Sequence, residues 1–294
     1  MIRSFHAARS QLSFKLSTVN VFLAPAKLNL ALKITGRRSD GYHLLDSIFT
    51  FISLFDLLYI EIPPEDKLQF KSTKREINGE DNLIIQAAKA LRQTTGCKKG
   101  ARIFLKKMIP LGAGLGGGSS DAATALLALN HLWNLHLQRA ELITLASSLG
   151  ADIPFFIGAH NARVQGIGEK IRPITLPKSY YFVLYPNVTI STKTVFSSFS
   201  LLTEKNTTRI IPPLDNWPEG NDLQETTFRL YPELKQVKAL LQPFGEVAMT
   251  GSGSALFIKV KDRLEGEKIQ KQLGNRYPSF VVENLPCHPL FSLL

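Results

Sequence analysis

Between Pro110 and Ser120 the chain reads PLGAGLGGGSS, so five of the seven residues from Gly112 to Gly118 are glycine. Glycine loses more backbone freedom on folding than any other residue, and a cluster of this density weakens regular structure unless the backbone has a special task there. The following residues change character at once. Ala122, Ala125, Leu126, Leu129, Leu132 and Trp133 recur at helical spacing, which predicts a helix with Ser119 or Ser120 at its N-cap. A glycine loop opening a helix points to an anion held by backbone N–H groups, with the helix dipole adding favourable potential.

The common phosphate loops do not fit. Gly112-x-Gly114-x-x-Gly117 matches the dinucleotide fingerprint, but the region about 20 positions on, NHLWNLHLQRAEL, stays helical and offers no acid before Glu141 to take a ribose. A Walker A loop needs a lysine where Gly118 stands. The glycine loop of a protein kinase lies between two strands, whereas this one leads into a helix.

The flanking patterns predict a mixed α+β fold. Leu28, Leu30, Leu32 and Ile34 alternate with Lys27, Asn29, Ala31 and Lys33, a strand with Lys27 and Asn29 on one face. GRRSDGYH reads as a loop, SIFTFISL and DLLYIEI as two strands, and DNLIIQAAKALRQTTG as a helix between Asp81 or Asn82 and Gly96. ARIFLKKMI is a strand leading to the loop. Arg139 to Leu149 is a helix with Leu142, Leu145, Ala146 and Leu149 on one side and Gly150 at its end. The second half gives strand (YYFVLYP), helix (PELKQVKALLQPFG), two strands (EVAMTGSG, SALFIKV), helix (DRLEGEKIQKQLG) and strand (SFVVENL), which is the ferredoxin-like order. Val195 to Asn221 reads as a loop-rich insertion or linker.

Composition narrows the function class. With 44% apolar and 20% charged residues the chain is of ordinary globular make-up. No apolar run reaches the ~20 residues of a membrane span; the most apolar stretch, Ile48 to Ile62, is broken by Thr50, Ser53 and Asp56. Cys97 and Cys287 form no metal motif. The net charge of +11 favours anionic partners. No basic run is interleaved with aromatics, so an RNA-binding module is the rival reading rather than the first. Residues 1–20 carry Arg3, Arg9 and Lys15 and no acid; they read as a disordered tail or leader, and as a transit peptide they would place the protein in a plastid stroma rather than the cytoplasm.

Chemistry needs more than an anion cradle. Asp152, in GADIPFF, reads either as a functional carboxylate or as an N-cap for the turn that Pro154 enters. Lys27 reads as a site residue or a solvated strand lysine, and Tyr42 and His43 as site or loop residues. Taken as an ordered set, PAKLNLALKITGRRSDGYHLLDSIF, PLGAGLGGGSSDAATALLALN and GADIPFF resemble the landmarks of the GHMP kinases, and DNLIIQAA and TGSGSALF extend the similarity over nearly everything after residue 20.

The resemblance implies an α+β chain of two domains. The first (21–163, binding ATP) is like domain 2 of ribosomal protein S5, the second (164–294) is ferredoxin-like, and the active site lies between them. It implies an ATP- and Mg2+-dependent kinase acting on a small alcohol. LNLALKITGRRSDGYH points to the branch whose acceptor is linked to cytidine diphosphate and feeds isoprenoid precursors. It casts Asp152 as general base and Lys27 as its catalytic partner, with Asn29 lining the site. Lys107 and the segment Pro110, Leu111, Gly112, Ala113, Gly114, Leu115, Gly116, Gly117, Gly118, Ser119 and Ser120 become the ATP site, with Mg2+ near Ser119 or Ser120. Tyr42, His43, Thr192 and Phe196 become the cytidine pocket. Ala113 stands where similar loops often carry glycine. Asp121 is expected either near Mg2+ or simply in the first helical turn. Neither nucleic acid nor membrane is implied as a partner, and the assembly is expected to be a monomer or homodimer.

Overall fold

A computed structural model describes residues 19–199 and 220–293; most of the leader and of the 195–221 insertion lie outside them. The first half is built on a long antiparallel pair, β1 (Asn20–Arg37) and β2 (His43–Glu61). The two strands expected between Ser47 and Ile62 are one strand, with a register irregularity at Ser53 and Leu54 where Pro25 and Ala26 of β1 face it. Pro25 lacks an N–H for the ladder, which accounts for a break there. Strand β3 (Leu68–Ser72) runs parallel to β4 (Ala101–Lys106), and β4 pairs with the end of β2. Helix α1 (Leu83–Thr95) starts on an Asn82 side chain bonded to the Ile84 amide and ends at a left-handed Gly96. Helices α2 (Gly117–Leu132), α3 (Arg139–Leu149) and α4 (Ile153–Gly158) complete the layer against the sheet.

Helix α2 is buried on nearly every side from Ser120 to Asn130, so it is a central helix rather than the amphipathic one its leucine stripe predicts. The short, ungapped alanines of this segment let neighbours approach on all faces. A hairpin the sequence reading left out, β5 (Ala162–Gly166) and β6 (Lys170–Pro173), pairs with the start of β2. A division between residues 163 and 164 therefore falls inside β5, and this hairpin belongs with the first unit.

The second unit is formed by β7 (Tyr180–Leu184), β8 (Gly220–Asn221), β9 (Ala248–Met249), β10 (Leu256–Val260) and β11 (Ser279–Leu285), with helices α5 (Thr192–Ser198), α6 (Leu223–Leu230), α7 (Glu233–Leu241) and α8 (Arg263–Leu273). Strand order β11-β7-β10-β9 is antiparallel throughout, the ferredoxin-like arrangement. Helix α5 occupies the start of the segment read as irregular. Asn284 and Leu285 of β11 pair with Ile52 and Phe51 of β2, so the two sheets are continuous. The β9–β10 loop, Thr250 to Ala255, is carried by this junction against the glycine loop.

Candidate active site

The glycine loop is fixed through its carbonyls. Those of Leu111 and Gly112 accept from the Tyr185 hydroxyl (3.2 Å) and the Ile190 amide (3.1 Å). The Ala113 and Gly114 carbonyls accept from the Ala255 amide (3.0 Å) and the Thr250 hydroxyl (3.2 Å). Those of Leu115 and Gly116 accept from the amides of Lys27 (3.0 Å) and Ser120 (2.9 Å). Two glycines are required for this path. Gly114 has φ +75°, and an added Cβ would lie 2.2 Å from the Thr250 carbonyl oxygen. Gly116 has φ +70°, and a Cβ there would press on the Lys27 side chain at 2.9 Å. Ala113 is buried, packs in the apolar cluster between the two units and is not among the positive-φ residues, so the cradle tolerates it.

Helix α2 begins earlier than its serines suggest. Gly116 is the N-cap, with no side-chain cap, and Ser119 and Ser120 lie inside the first turn. The amides of Gly117, Gly118 and Ser119 therefore have no intrahelical acceptor, the arrangement that holds an anion. The Ser120 hydroxyl is fully buried and has no protein partner, an orphan that fits a metal ion or phosphate oxygen. Pro110 has no N–H and contributes only shape.

Lys27 and Asp152, 125 positions apart in the chain, meet here. The Lys27 ammonium is buried, 3.8 Å from Asp152 Oδ2, 2.5 Å from Asn29 Oδ1 and 4.7 Å from the centre of the Phe49 ring. Burial pulls its pKa below the usual lysine value, and the Asp152 charge opposes that shift. Asp152 precedes α4 but makes no side-chain cap bond, so its carboxylate is not used to start the helix. It is 39% exposed. Asn29 is tied to Ser47 by its amide nitrogen and to the Thr250 hydroxyl by its backbone N–H.

Lys107 lies against the glycine loop, its Nζ 2.9 Å from where a Cβ on Gly117 would stand. Its ammonium is enclosed between Asp56 Oδ2 and Asp121 Oδ2, 2.6 Å from each, and is 2% exposed. Asp56 Oδ1 also accepts from the amides of Met108 and Ile109 at 2.5 and 2.9 Å. Lys107 is thus a buried brace under the loop, its charge shared by two carboxylates. Asp121 is likewise part of this brace. Burial pushes its pKa well up despite the neighbouring ammonium. Two buried carboxylates share one cation.

A second cluster lies at the far end of β1 and β2. His43 is buried, with its ring centre 5.6 Å from those of Phe196 and Phe199 on or after α5. Burial and the Arg37 charge depress its pKa, so the imidazole is neutral near pH 7 and offers one donor and one acceptor. Tyr42 projects into solvent, 62% exposed. Thr192, one turn from Phe196 on α5, shares a 2.9 Å hydrogen bond with Ser252 of the β9–β10 loop. Phe199, Ser47 and Thr250 were not singled out as site residues. Thr250 lies in the quoted TGSGSALF, and Asp56 was visible as an acid inside an apolar strand.

Among the described residues no group of His, Cys, Asp or Glu could hold a metal ion, and no helix is long and apolar enough to cross a membrane. The GHMP kinase N-terminal domain model matches residues 82–159 and the GHMP kinase C-terminal model residues 200–279. The chain is 42% identical over 271 residues to the 4-diphosphocytidyl-2-C-methyl-D-erythritol kinase of Chromobacterium violaceum, covering 91% of this chain and 95% of that one. It is 40% identical to the kinase of the same name from Azoarcus sp. (92% and 96% covered). The crystal structure of a 4-(cytidine 5'-diphospho)-2C-methyl-D-erythritol kinase superposes with TM-score 0.77 at 34% identity, over 90% of this chain and 99% of that one. A mevalonate kinase shares the fold at TM-score 0.65 and 16% identity, over 90% and 99%. The matched domains, the ordered motifs and identity of this level over nearly the whole length make one conclusion: the chain belongs to the GHMP kinases, in the family of the 4-diphosphocytidyl-2-C-methyl-D-erythritol kinases.

Proposed function

We infer that the chain transfers the γ-phosphoryl group of ATP to the 2-hydroxyl of 4-diphosphocytidyl-2-C-methyl-D-erythritol, a step towards isoprenoid precursors. The observation that carries this reading is the meeting of Lys27 and Asp152 at 3.8 Å beside the glycine loop, in a chain about 42% identical to kinases of that acceptor. Asp152 accepts the hydroxyl proton, and the freed oxygen attacks the γ-phosphorus as its bond to the β-phosphate oxygen breaks, leaving ADP. Separation of Asp152 from Lys27 beyond hydrogen-bond length leaves the carboxylate free to take that hydroxyl. The Lys27 ammonium counters charge on the transferring group.

Amides of Leu111 to Ser119 cradle the phosphates of ATP, since the carbonyls of Leu111 to Gly116 are already engaged by the protein. The Ser120 hydroxyl is the group that would hold Mg2+, with Ser119 beside it; when bound, the ion neutralises phosphate charge. His43, Phe196 and Phe199 form the base pocket, with Tyr42 and Thr192 at its edges. Neutral His43 suits the mixed donor and acceptor edge of cytosine. ADP release measured with the cytidine-diphosphate-linked acceptor, and separately with mevalonate and homoserine, tests the assignment. Release dependent on the cytidine-linked alcohol is expected; equal release with the unlinked alcohols refutes the acceptor.

A further inference from the structure

Ser47 lies on β2, wholly buried. Its hydroxyl has one proton to give. That proton is committed to the Ala31 carbonyl at 2.5 Å, beside the register shift between Asn29 and Ala31. Ser47 Oγ is therefore left as an acceptor, and it receives the Asn29 side-chain amide nitrogen at 3.0 Å.

This bond anchors the Asn29 amide at its nitrogen end. With its nitrogen on Ser47, its oxygen points at the Lys27 ammonium (2.5 Å) and the Thr250 hydroxyl (3.3 Å). The flipped amide would set –NH2 against an ammonium and oxygen against an acceptor oxygen. Thr250 does not settle the choice by itself, because its hydroxyl also reaches the Gly114 carbonyl at 3.2 Å and can turn to either.

We propose that Ser47 is a positioning residue for phosphoryl transfer: its hydroxyl anchors the Asn29 amide so that the amide oxygen holds the Lys27 ammonium in place. The proposal rests on the reading of Lys27, Asn29 and Asp152 as the transfer site. In Ser47→Ala the Asn29 amide nitrogen loses its buried acceptor, so the side chain is no longer anchored and holds Lys27 less firmly.

The test uses the full chain, ADP release at saturating acceptor across pH, and a thermal melt. Ser47→Ala should lower kcat by roughly 10–100-fold with the KM for ATP little changed. Its alkaline limb should move to lower pH, because an ammonium held less firmly by its acceptor loses its proton more readily. In an Asn29→Ala background, Ser47→Ala should have no further effect on kcat, since the serine acts through that amide. A parental kcat and pH limb in Ser47→Ala, or a full additional loss in the Asn29→Ala background, overturns the proposal. Ser47→Cys, nearly isosteric but a weak hydrogen-bonding group, is read by the same criteria if the alanine variant does not fold. Asp152→Asn run in parallel separates the two claims. If it is inactive while Ser47→Ala is parental, Ser47 alone is refuted; if it keeps parental turnover, the site placement falls and the Ser47 role with it.

Discussion

Replacing Lys107 by methionine separates a brace from a phosphate ligand. In the native protein its ammonium lies 2.6 Å from both Asp56 and Asp121, and all three side chains are at most 5% exposed. Methionine fills similar volume but leaves two buried carboxylates without a cation. Removing one partner of a buried ion pair costs about 3–5 kcal/mol. For a domain of this size each kcal/mol lowers the melting temperature by roughly 2–3 °C, so a fall of roughly 6–15 °C is expected. The loss should shrink as pH falls. Asp121 already has a raised pKa in the fold, and a carboxyl of that kind favours folding when protonated and disfavours it as pH rises through that value. Asp121→Asn in the Lys107→Met background should recover part of the loss at neutral pH, because one buried charge is gone. Calorimetry from pH 5 to 8, with the KM for ATP measured beside it, reads both roles. A Lys107→Met enzyme with an unchanged melt and a KM for ATP raised ten-fold or more would refute the brace and restore the phosphate contact.

Three further outcomes are expected. Gly114→Ala forces a Cβ to 2.2 Å from a backbone oxygen at positive φ, whereas at Gly118 the nearest atom is a side-chain carbon at 4.0 Å; the first variant should lose ATP binding and melt lower, the second should do neither, by calorimetry and ATP titration. His288 is buried against Phe51, and burial drops its pKa to about 3. Its unfolded form takes a proton below about 6.5 and its folded form does not, so stability should fall between those values, by roughly 2–3 kcal/mol at pH 4.5; His288→Phe should flatten that part of a denaturant-midpoint profile. Because Lys27 has a lowered pKa, the alkaline limb of turnover should lie below the 10.5 of an ordinary lysine and vanish in Lys27→Met.

Much of this molecule is written in local pattern, and the misreadings have physical causes. The glycine loop is legible because positive φ at Gly112, Gly114 and Gly116 excludes most other residues. The ends of α1 and α3 are legible because Asn82, the Gln138–Glu141 capping box, Gly96 and Gly150 act on their own neighbours. The start of α2 was misplaced because a glycine N-cap gives no side-chain signal, while the serines beside it do. The ion pair of Lys107 with Asp56 is not legible, because the two are 51 positions apart and no spacing rule connects them. The anchoring of the Asn29 amide depends on Ser47, 18 positions away on β2, a contact that alternation of apolar residues conceals. The meeting of Lys27 with Asp152 followed from family likeness, since neither strand periodicity nor the GADIPFF segment states which distant residue the other will face.

The account turns on Asp152 receiving a proton from the acceptor alcohol while the glycine loop holds ATP independently of it. Single-turnover phosphoryl transfer by Asp152→Asn, with ATP affinity measured on the same preparation, tests that most directly. A rate reduced by roughly 10²–10⁴ with ATP bound as tightly as by the parent is predicted. A parental rate would contradict it.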